Sequence, residues 1–373
     1  MSVYVDIDFE NYKLFIDGVQ VNKTPDIVKP RETNRKSKHP VVIKIVLEQI
    51  YSNNNNLNVK ELLYRMDNVL VYDRLREVQI YGDDPLMHFN EVVQILDHFF
   101  KTKCHLTIIT KGIHLTNDII SVLNSYEANV CISHDGPAQT KLWNVDPLEK
   151  NKDIIKNIKS LSIACCLTKD NFDLCEINDW FYDKFQHLGV KLNNILINYN
   201  IVEVVDESSE KLAITDLAKF QLCLRMFFER CRSKDSRIIW NTLYHDASDR
   251  SVFSLCNSIV NSNPIYDCTN CCLEFEEVII IDNNGYIREC EHLDDTYKLG
   301  VLEDLPNKMY EKEESCKKCK FRNLCKGACP LIPKRYFNIN CAMSIAYYEV
   351  VADFGLKIIE KEVLDIANKH KYS

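Results

Sequence analysis

Short apolar runs alternate six times with amphipathic stretches between Pro40 and Cys231. The apolar runs are Val41–Leu47, Val78–Tyr81, Leu106–Thr110, Val130–Ser133, Leu161–Leu167 and Ile195–Tyr199. The amphipathic stretches are Val59–Leu70, Phe89–Phe100, Asn117–Ser125, Asp153–Lys159, Cys175–Phe185 and Leu217–Cys231. Buried strands that are each followed by a helix form a parallel sheet with helices covering it. We therefore predict an α/β fold whose sheet is open or closes into a full or partial barrel.

Two strand ends in this pattern carry polar residues. One reads Tyr81-Gly82-Asp83-Asp84-Pro85, and the other reads Ser133-His134-Asp135-Gly136-Pro137. Parallel α/β folds bind ligands at the carboxyl ends of their strands. Taken singly, each segment is also an ordinary turn between a strand and a helix, because Asp, Gly and Pro favour turns.

The N-terminal sequence and the net charge bear on the cellular compartment and on the class of partner. Residues 1–39 predict a small β-meander, with strands at Val3–Phe9 and Tyr12–Ile16, and a linker. There is no cationic start followed by an apolar run, and no apolar stretch is long enough for a membrane span. The formal net charge of −8 disfavours nucleic acid as a partner. We predict a cytoplasmic protein without a membrane partner, in which thiols stay reduced.

The cysteines are concentrated near the C-terminus. None of the 17 precedes Cys104, and ten lie from Cys256 to Cys341. In a reducing compartment such a concentration indicates metal binding. Its centre is a quartet in which two, five and three residues separate the cysteines and a proline follows: Cys316, Cys319, Cys325 and Cys329. A Cys-x2-Cys turn brings two thiolates to one metal centre, and Cys-Pro recurs among iron–sulfur ligands.

A second group of cysteines precedes the quartet. Cys268, Cys271 and Cys272 lie before a predicted strand, Glu276–Ile281, and a turn at residues 282–285 leads back to Cys290. This hairpin would bring Cys290 close to Cys271 or Cys272. Four thiolates also suit zinc, so zinc is the alternative metal, although the spacing favours iron–sulfur clusters. The other cysteines are interpreted as packed thiols: Cys104, Cys131, Cys165, Cys166, Cys175, Cys223, Cys231 and Cys256.

The region from Cys268 to Cys341 resembles the SPASM domain of radical SAM peptide- and protein-modifying enzymes. That family has a Cys, then Gly-x4-Cys, then Cys-x2-Cys-x5-Cys-x3-Cys and a last Cys; here the Gly-x4-Cys is Gly285 to Cys290. The resemblance implies two auxiliary [4Fe–4S] clusters. One would be held by Cys316, Cys319, Cys325 and Cys341. The other would be held by Cys329 and Cys290 with two of Cys268, Cys271 and Cys272.

The preceding region resembles the radical SAM core. Residues 82–86 (Gly-Asp-Asp-Pro-Leu) match the family's Gly-Gly-Glu-Pro-Leu, and residues 132–137 match its Ile-Ser-x-Asp-Gly-Pro. Residues 110–112 (Thr-Lys-Gly) match Thr-Asn-Gly. The resemblance implies cofactor-binding positions at Gly82, Asp84, Ser133 and Asp135. It also implies a partial (β/α)6 TIM-like barrel over residues 40–235, a small cysteine-rich α+β domain over 236–344 and a C-terminal helix over 345–373.

Two departures from the family concern S-adenosylmethionine. The family's radical chemistry needs Cys-x3-Cys-x2-Cys after the first strand, but Glu48–Leu57 holds no cysteine and the motif occurs nowhere in the chain. Asn and Gln are poor ligands for cluster iron. In addition, Asp83 replaces a glycine that lets the backbone approach the methionine amino group. Both departures predict a degenerate core that does not cleave S-adenosylmethionine, and they leave its binding open.

Three functions follow as hypotheses. The first is a non-catalytic, SPASM-bearing relative of radical SAM maturases, which binds a peptide or protein substrate or pairs with an active radical SAM subunit. The second is an enzyme that uses an auxiliary cluster, or Asp84 and Asp135 as an acid–base pair. The third is a zinc-stabilised interaction protein.

Overall fold

The fold was analysed on a computed structural model. It describes residues 4–8, 13–23, 27–28, 36–47, 58–245, 251–261, 265–266, 277–290, 298–305, 314–325, 329 and 331–371. The predicted loop Glu48–Leu57 and the ligand candidates Cys268, Cys271 and Cys272 lie outside the described residues.

Fifteen strands are described. The first four are β1 (Val5–Asp8), β2 (Lys13–Ile16), β3 (Val19–Gln20) and β4 (Ile27–Val28). The central six are β5 (Val42–Leu47), β6 (Glu77–Gly82), β7 (His105–Thr110), β8 (Asn129–Ser133), β9 (Leu161–Leu167) and β10 (Ile195–Ile201). The last five are β11 (Trp240–Asn241), β12 (Ile265–Tyr266), β13 (Val278–Asp282), β14 (Tyr286–Arg288) and β15 (Lys298–Val301).

Twelve α-helices accompany these strands. The first six are α1 (Val59–Val69), α2 (Phe89–Phe100), α3 (Asn117–Ser125), α4 (Gln139–Trp143), α5 (Pro147–Lys150) and α6 (Leu174–His187). The others are α7 (Glu207–Glu210), α8 (Leu217–Arg232), α9 (Val252–Asn261), α10 (Glu314–Lys317), α11 (Arg322–Cys325) and α12 (Lys334–Lys371). Although α12 is 38 residues long, no helix among the described residues is long and apolar enough to cross a membrane.

Ten strands form one sheet in the order β11-β10-β9-β8-β7-β6-β5-β13-β14-β15. Strands β5 to β10 are parallel neighbours in chain order, which confirms the predicted α/β fold with six central strands. In the described part of the chain, no pairing joins the two edges of this sheet into a closed barrel. The carboxyl ends of the six strands therefore lie along one edge, as ligand binding in such folds requires.

The two faces of the sheet differ in polarity. On β5, Ile43 and Ile45 are fully buried and belong to the large apolar core that includes the helices. Val46 points to the opposite face, where it packs with Tyr81 and Ile280 in a small separate cluster. We call this opposite face the inner face. Farther along it, the Asn129 side chain on β8 donates a hydrogen bond to Ser162 Oγ on β9 at 2.9 Å.

The hairpin of β13 and β14 continues the central sheet. Strand β13 pairs in parallel with β5 and antiparallel with β14, which confirms the predicted hairpin. Arg65 of α1 holds it: its Nε lies 2.6 Å from a carboxylate oxygen of Glu303, and its Nη1 donates to the Asn284 carbonyl at 2.9 Å. Gly285 has a φ of +81°, and a Cβ there would lie 2.4 Å from Arg65 Nη1. The positive φ favours glycine here, and a Cβ would displace the guanidinium of Arg65 from the hairpin.

One predicted α-helix is absent from the structure, and another begins earlier than predicted. Asp153–Lys159 is not an α-helix; the β8–β9 connection instead contains α4, α5 and a 3₁₀ turn at Ile155–Asn157. The side chain of Asn151 holds this compact path by donating to the carbonyls of Gly112 at 2.7 Å and Pro147 at 2.8 Å. The last helix begins at Lys334 rather than Ile345, directly after Pro333, since proline favours the start of a helix. Cys341 therefore lies on this helix.

Helix α12 is attached to the core on both sides of Cys341. Asn340 accepts a hydrogen bond from the Val204 amide at 2.9 Å and donates to the Val204 carbonyl at 2.8 Å. Farther along, Phe354 packs edge-on against Phe228 of α8, with ring centroids 5.5 Å apart. The backbone position of Cys341 is thus fixed relative to the sheet.

Candidate functional site at the strand ends

The carboxyl end of β6 lies against the end of β5. Gly82 pairs with Leu47, the last residue of β5. Its φ is +151°, and a Cβ at this position would lie 1.9 Å from the Leu47 carbonyl oxygen. Only glycine allows the two backbones to approach this closely. Leu47, the last residue before the cysteine-free segment 48–57, therefore lies directly beside the first motif.

Asp84 joins the ends of β6 and β7. Its carboxylate is 4% exposed, and Oδ1 accepts hydrogen bonds from Thr110 Oγ1 at 2.6 Å and from the Leu86 amide at 3.3 Å. Oδ2 is buried without a hydrogen bond from the described residues and lies 4.0 Å from His114 Nε2. No sequence motif points to His114, because only the folded chain brings this half-exposed imidazole to the buried carboxylate.

Asp83 and Lys111 form an ion pair at the same edge, and both side chains are half exposed. These two residues stand where the resemblance has a glycine and an asparagine. The two substitutions thus contact each other, and together they place opposite charges above the ends of β6 and β7.

Asp135 holds the ends of β8 and β9 together. Its side chain is 6% exposed, and both carboxylate oxygens accept hydrogen bonds. Oδ1 accepts from the Cys166 amide at 2.8 Å, and Oδ2 accepts from Trp143 Nε1 at 2.7 Å. A carboxylate with both oxygens engaged is well suited to positioning neighbouring groups. Ser133, beside it at the end of β8, is exposed.

His134 is a structural part of the same turn. Its Nδ1 accepts from the Gly136 amide at 3.0 Å, which assigns the proton to Nε2, and Nε2 donates to Asp146 at 3.2 Å. Burial opposes the charge on Asp146, but hydrogen bonds from His134 and the Glu149 amide hold the pKa of that carboxyl well below its usual range. Lys184, 3.3 Å away, acts in the same direction.

The cysteine quartet is only partly described. Cys316 and Cys319 flank a tight turn in which the Cys319 amide donates to the Cys316 carbonyl at 3.2 Å. Burial raises the pKa of the Cys341 thiol, and the neighbouring Cys316 and Cys319 raise it further. Cys316 and Cys319 thus lie within electrostatic range of Cys341. Cys325 packs against the core, beside the buried Leu324.

The second predicted cluster site is described in two of its members. Cys290 follows β14 and Cys329 precedes α12, and both are partly buried. All fourteen described cysteines are thiols rather than disulfides. Among the described residues, no three or more His, Cys, Asp or Glu side chains form a group that could hold a metal ion.

We predict that Asp135→Asn destabilises the fold by about 2–3 kcal/mol, because one N–H donor then faces an amide NH2 group and is left without an acceptor. The midpoint of urea unfolding should fall at an unchanged m-value. Asp170→Asn is the matched control, since Asp170 makes a surface pair with Lys141 at 2.8 Å and should change stability by less than about 1 kcal/mol. Equal midpoints for the two variants would contradict the positioning role of Asp135.

The open parallel sheet with its covering helices is a mixed α/β fold, and comparisons with known proteins bear on its relatives. No protein-family model matches the chain. The chain is similar to the radical SAM cyclopropyl synthase TigE of Paramaledivibacter caminithermalis, with 23% identity over 279 residues, 70% of this chain and 56% of TigE. The match thus spans about half the length of that relative.

Two groups of solved structures share the fold. One is anSMEcpe with bound AdoMet, with a TM-score of 0.60 and 16% identity over 86% of this chain and 100% of that chain. The other is SuiB of Streptococcus suis bound to the precursor peptide SuiA, with a TM-score of 0.52 and 14% identity over 79% of this chain and 73% of that one. At these identities, the similarities to the solved structures show the fold that the chain shares with them.

Proposed function

We propose that the protein is an iron–sulfur protein of the radical SAM/SPASM type that does not itself cleave S-adenosylmethionine. It acts as a substrate-binding or partner subunit in a peptide- or protein-modification system. The observation that carries this proposal is the segment from Glu48 to Leu57, which leaves β5 beside Gly82 and contains no cysteine. Three thiolates at this place are what the family's radical chemistry requires.

The ion pair of Asp83 and Lys111 supports the same conclusion. In the family, a glycine at the position of Asp83 lets the backbone approach the methionine amino group of S-adenosylmethionine. Here the Asp83 carboxylate occupies that position and pairs with the ammonium group of Lys111. A side chain at this position supports a site that does not select the cofactor.

The cysteines fit auxiliary clusters. Cys316 and Cys319 lie within electrostatic range of Cys341, and Cys325 is the last residue of α11. These four would hold one [4Fe–4S] cluster, and Cys290 and Cys329 would hold the other with two of Cys268, Cys271 and Cys272. Bound clusters supply one-electron transfer or a rigid scaffold. The chain's own contribution is to fix their ligands, through Asn340 beside Cys341 and through the Arg65-bound hairpin before Cys290.

A peptide or protein substrate is the partner we propose. SuiB has been solved with its precursor peptide, and anSMEcpe with AdoMet and a Cp18Cys peptide. An active radical SAM subunit would supply the radical step that this chain lacks. We also propose that the division into residues 1–39, 40–235, 236–344 and 345–373 reflects a meander, the core, the cluster module and the closing helix.

The test begins with anaerobic purification, reconstitution with iron and sulfide, and measurement of iron, sulfide, zinc and the EPR spectrum. The protein is then incubated with S-adenosylmethionine and dithionite, beside a Cys316→Ser/Cys319→Ser variant. We expect cluster iron in the native chain and no more 5′-deoxyadenosine than in the variant. Formation of 5′-deoxyadenosine by the native chain alone would refute the non-catalytic role. Stoichiometric zinc without a broad visible absorbance would refute the clusters.

A further inference from the structure

We propose that Trp143, together with Asp135 and Glu203, forms a binding site for the positively charged side chain of a peptide, a lysine or an arginine. The inference rests on the peptide-binding role proposed above and gives it a substrate class. It concerns the edge of the sheet at the carboxyl ends of β8, β9 and β10.

The indole of Trp143 is held rigidly and yet exposed. Its Nε1 donates to the buried Asp135 at 2.7 Å, while 61% of the residue's surface is open to solvent. Gln139, at the start of the same short helix, accepts from the Asp135 amide at 2.8 Å and donates to the Val145 carbonyl at 3.0 Å. Asn144 ends the helix at a φ of +59°. A ring fixed in this way loses little freedom when a ligand stacks on it.

The charges around this ring favour a cation. The Asp135 carboxylate accepts a hydrogen bond from the indole N–H. The exposed Glu203 follows the carboxyl end of β10. The Cys166 amide donates to Asp135 at 2.8 Å, and the amide of Val202, next to Glu203, donates to the Leu167 carbonyl at 3.0 Å, so both acidic residues border the end of β9. In keeping with this, burial, Asp135 and Glu203 raise the pKa of the Cys166 thiol. The nearby Lys141 is paired with Asp170 at 2.8 Å. A cation over the ring would gain both the cation–π attraction and the field of two carboxylates.

The chain contains an internal example of this contact and a control for it. Lys184 Nζ lies 5.6 Å from the ring centroid of Trp180. Trp240 is almost as exposed as Trp143, at 57%, but pairs with Leu196 near the amino end of β10. Its ring also stacks on His245, with centroids 4.5 Å apart. Trp240 therefore serves as the control. Its indole is exposed, but His245 covers one face and it lies near the opposite end of β10 from Glu203.

The experiment uses the full chain and two fluorescein-labelled nonapeptides of glycine and serine with one central residue, lysine in one and acetyl-lysine in the other. Fluorescence anisotropy gives the affinities. We expect the lysine peptide to bind about 3- to 20-fold more tightly than the acetyl-lysine peptide. Trp143→Leu should weaken binding of the lysine peptide by a similar factor, and Trp240→Leu should leave it unchanged. Trp143→Phe, which keeps a ring without the hydrogen bond, should lie between them.

Several outcomes would overturn the site. They are equal affinity for the two peptides, no binding of either peptide, an unchanged affinity in Trp143→Leu, or an equal loss in Trp240→Leu. Near-ultraviolet circular dichroism of each variant separates loss of binding from loss of folding. Trp143→Phe is a second variant that should disturb the fold less than Trp143→Leu. Because no step depends on S-adenosylmethionine, lysine-dependent binding together with 5′-deoxyadenosine formation would refute the non-catalytic role and leave the cation site standing.

Discussion

Cys341→Ser should lower the iron content of the reconstituted protein from about eight to about four atoms per chain, since each [4Fe–4S] cluster needs its full set of thiolates. Cys341 lies on α12, apart from the quartet in sequence, but Cys316 and Cys319 are close enough to raise the pKa of its thiol. Its helix is fixed to the core by Asn340. Loss of this thiolate should therefore empty one cluster site and leave the backbone in place. Iron and sulfide analysis with EPR measures the change.

Cys256→Ser is the matched control for that experiment. Cys256 is also partly buried, and its thiol contacts α12, donating to the Gly355 carbonyl at 3.6 Å. It is outside the predicted ligand set, so its replacement should leave about eight iron atoms bound. The two-cluster assignment would be wrong if Cys341→Ser kept all its iron, or if Cys256→Ser lost as much.

The central strands could be predicted closely from sequence for a simple reason. Each is an apolar run bounded by polar or turn-forming residues, and the prediction for Leu161–Leu167 agrees with β9 at both ends. The connection before it could not be predicted in the same way. Ile155 is fully buried, which gives a helix-like apolar pattern, but the path is set by Asn151, whose partners include Gly112 in another loop. A local pattern holds no information on such a contact.

In the candidate site, too, the positions of the motifs could be predicted from the sequence, whereas their contact partners could not. The motifs identified the strand ends, because turn chemistry and parallel order are readable along the chain. The contact partners of the motif residues could not be predicted from the sequence. The fold brings His114 to Asp84 and Trp143 to Asp135. By contrast, the early start of α12 had a local signal, since Pro333 directly precedes it and proline favours the first turn of a helix.

The first motif keeps one glycine and loses the other, and the structure gives the reason. Gly82 has a φ of +151° and no room for a Cβ beside the Leu47 carbonyl oxygen, whereas the side chain of Asp83 is half exposed. The first position is thus required by the sheet itself. The second position has room for a side chain, and Asp83 there pairs with Lys111. This distinction leads to the second large effect that we expect.

Gly82→Ala should destabilise the protein by at least about 3 kcal/mol, because a Cβ would lie 1.9 Å from a backbone oxygen and the φ value is one that L-residues rarely adopt. The free energy of unfolding in urea, or loss of soluble protein, measures this. Gly189→Ala is the control: Gly189 also has a positive φ, +69°, but nothing lies within 4 Å of its would-be Cβ, so it should lose only about 1–2 kcal/mol. If the two variants were equally stable, the close approach of β5 and β6 would not be what retains glycine at position 82.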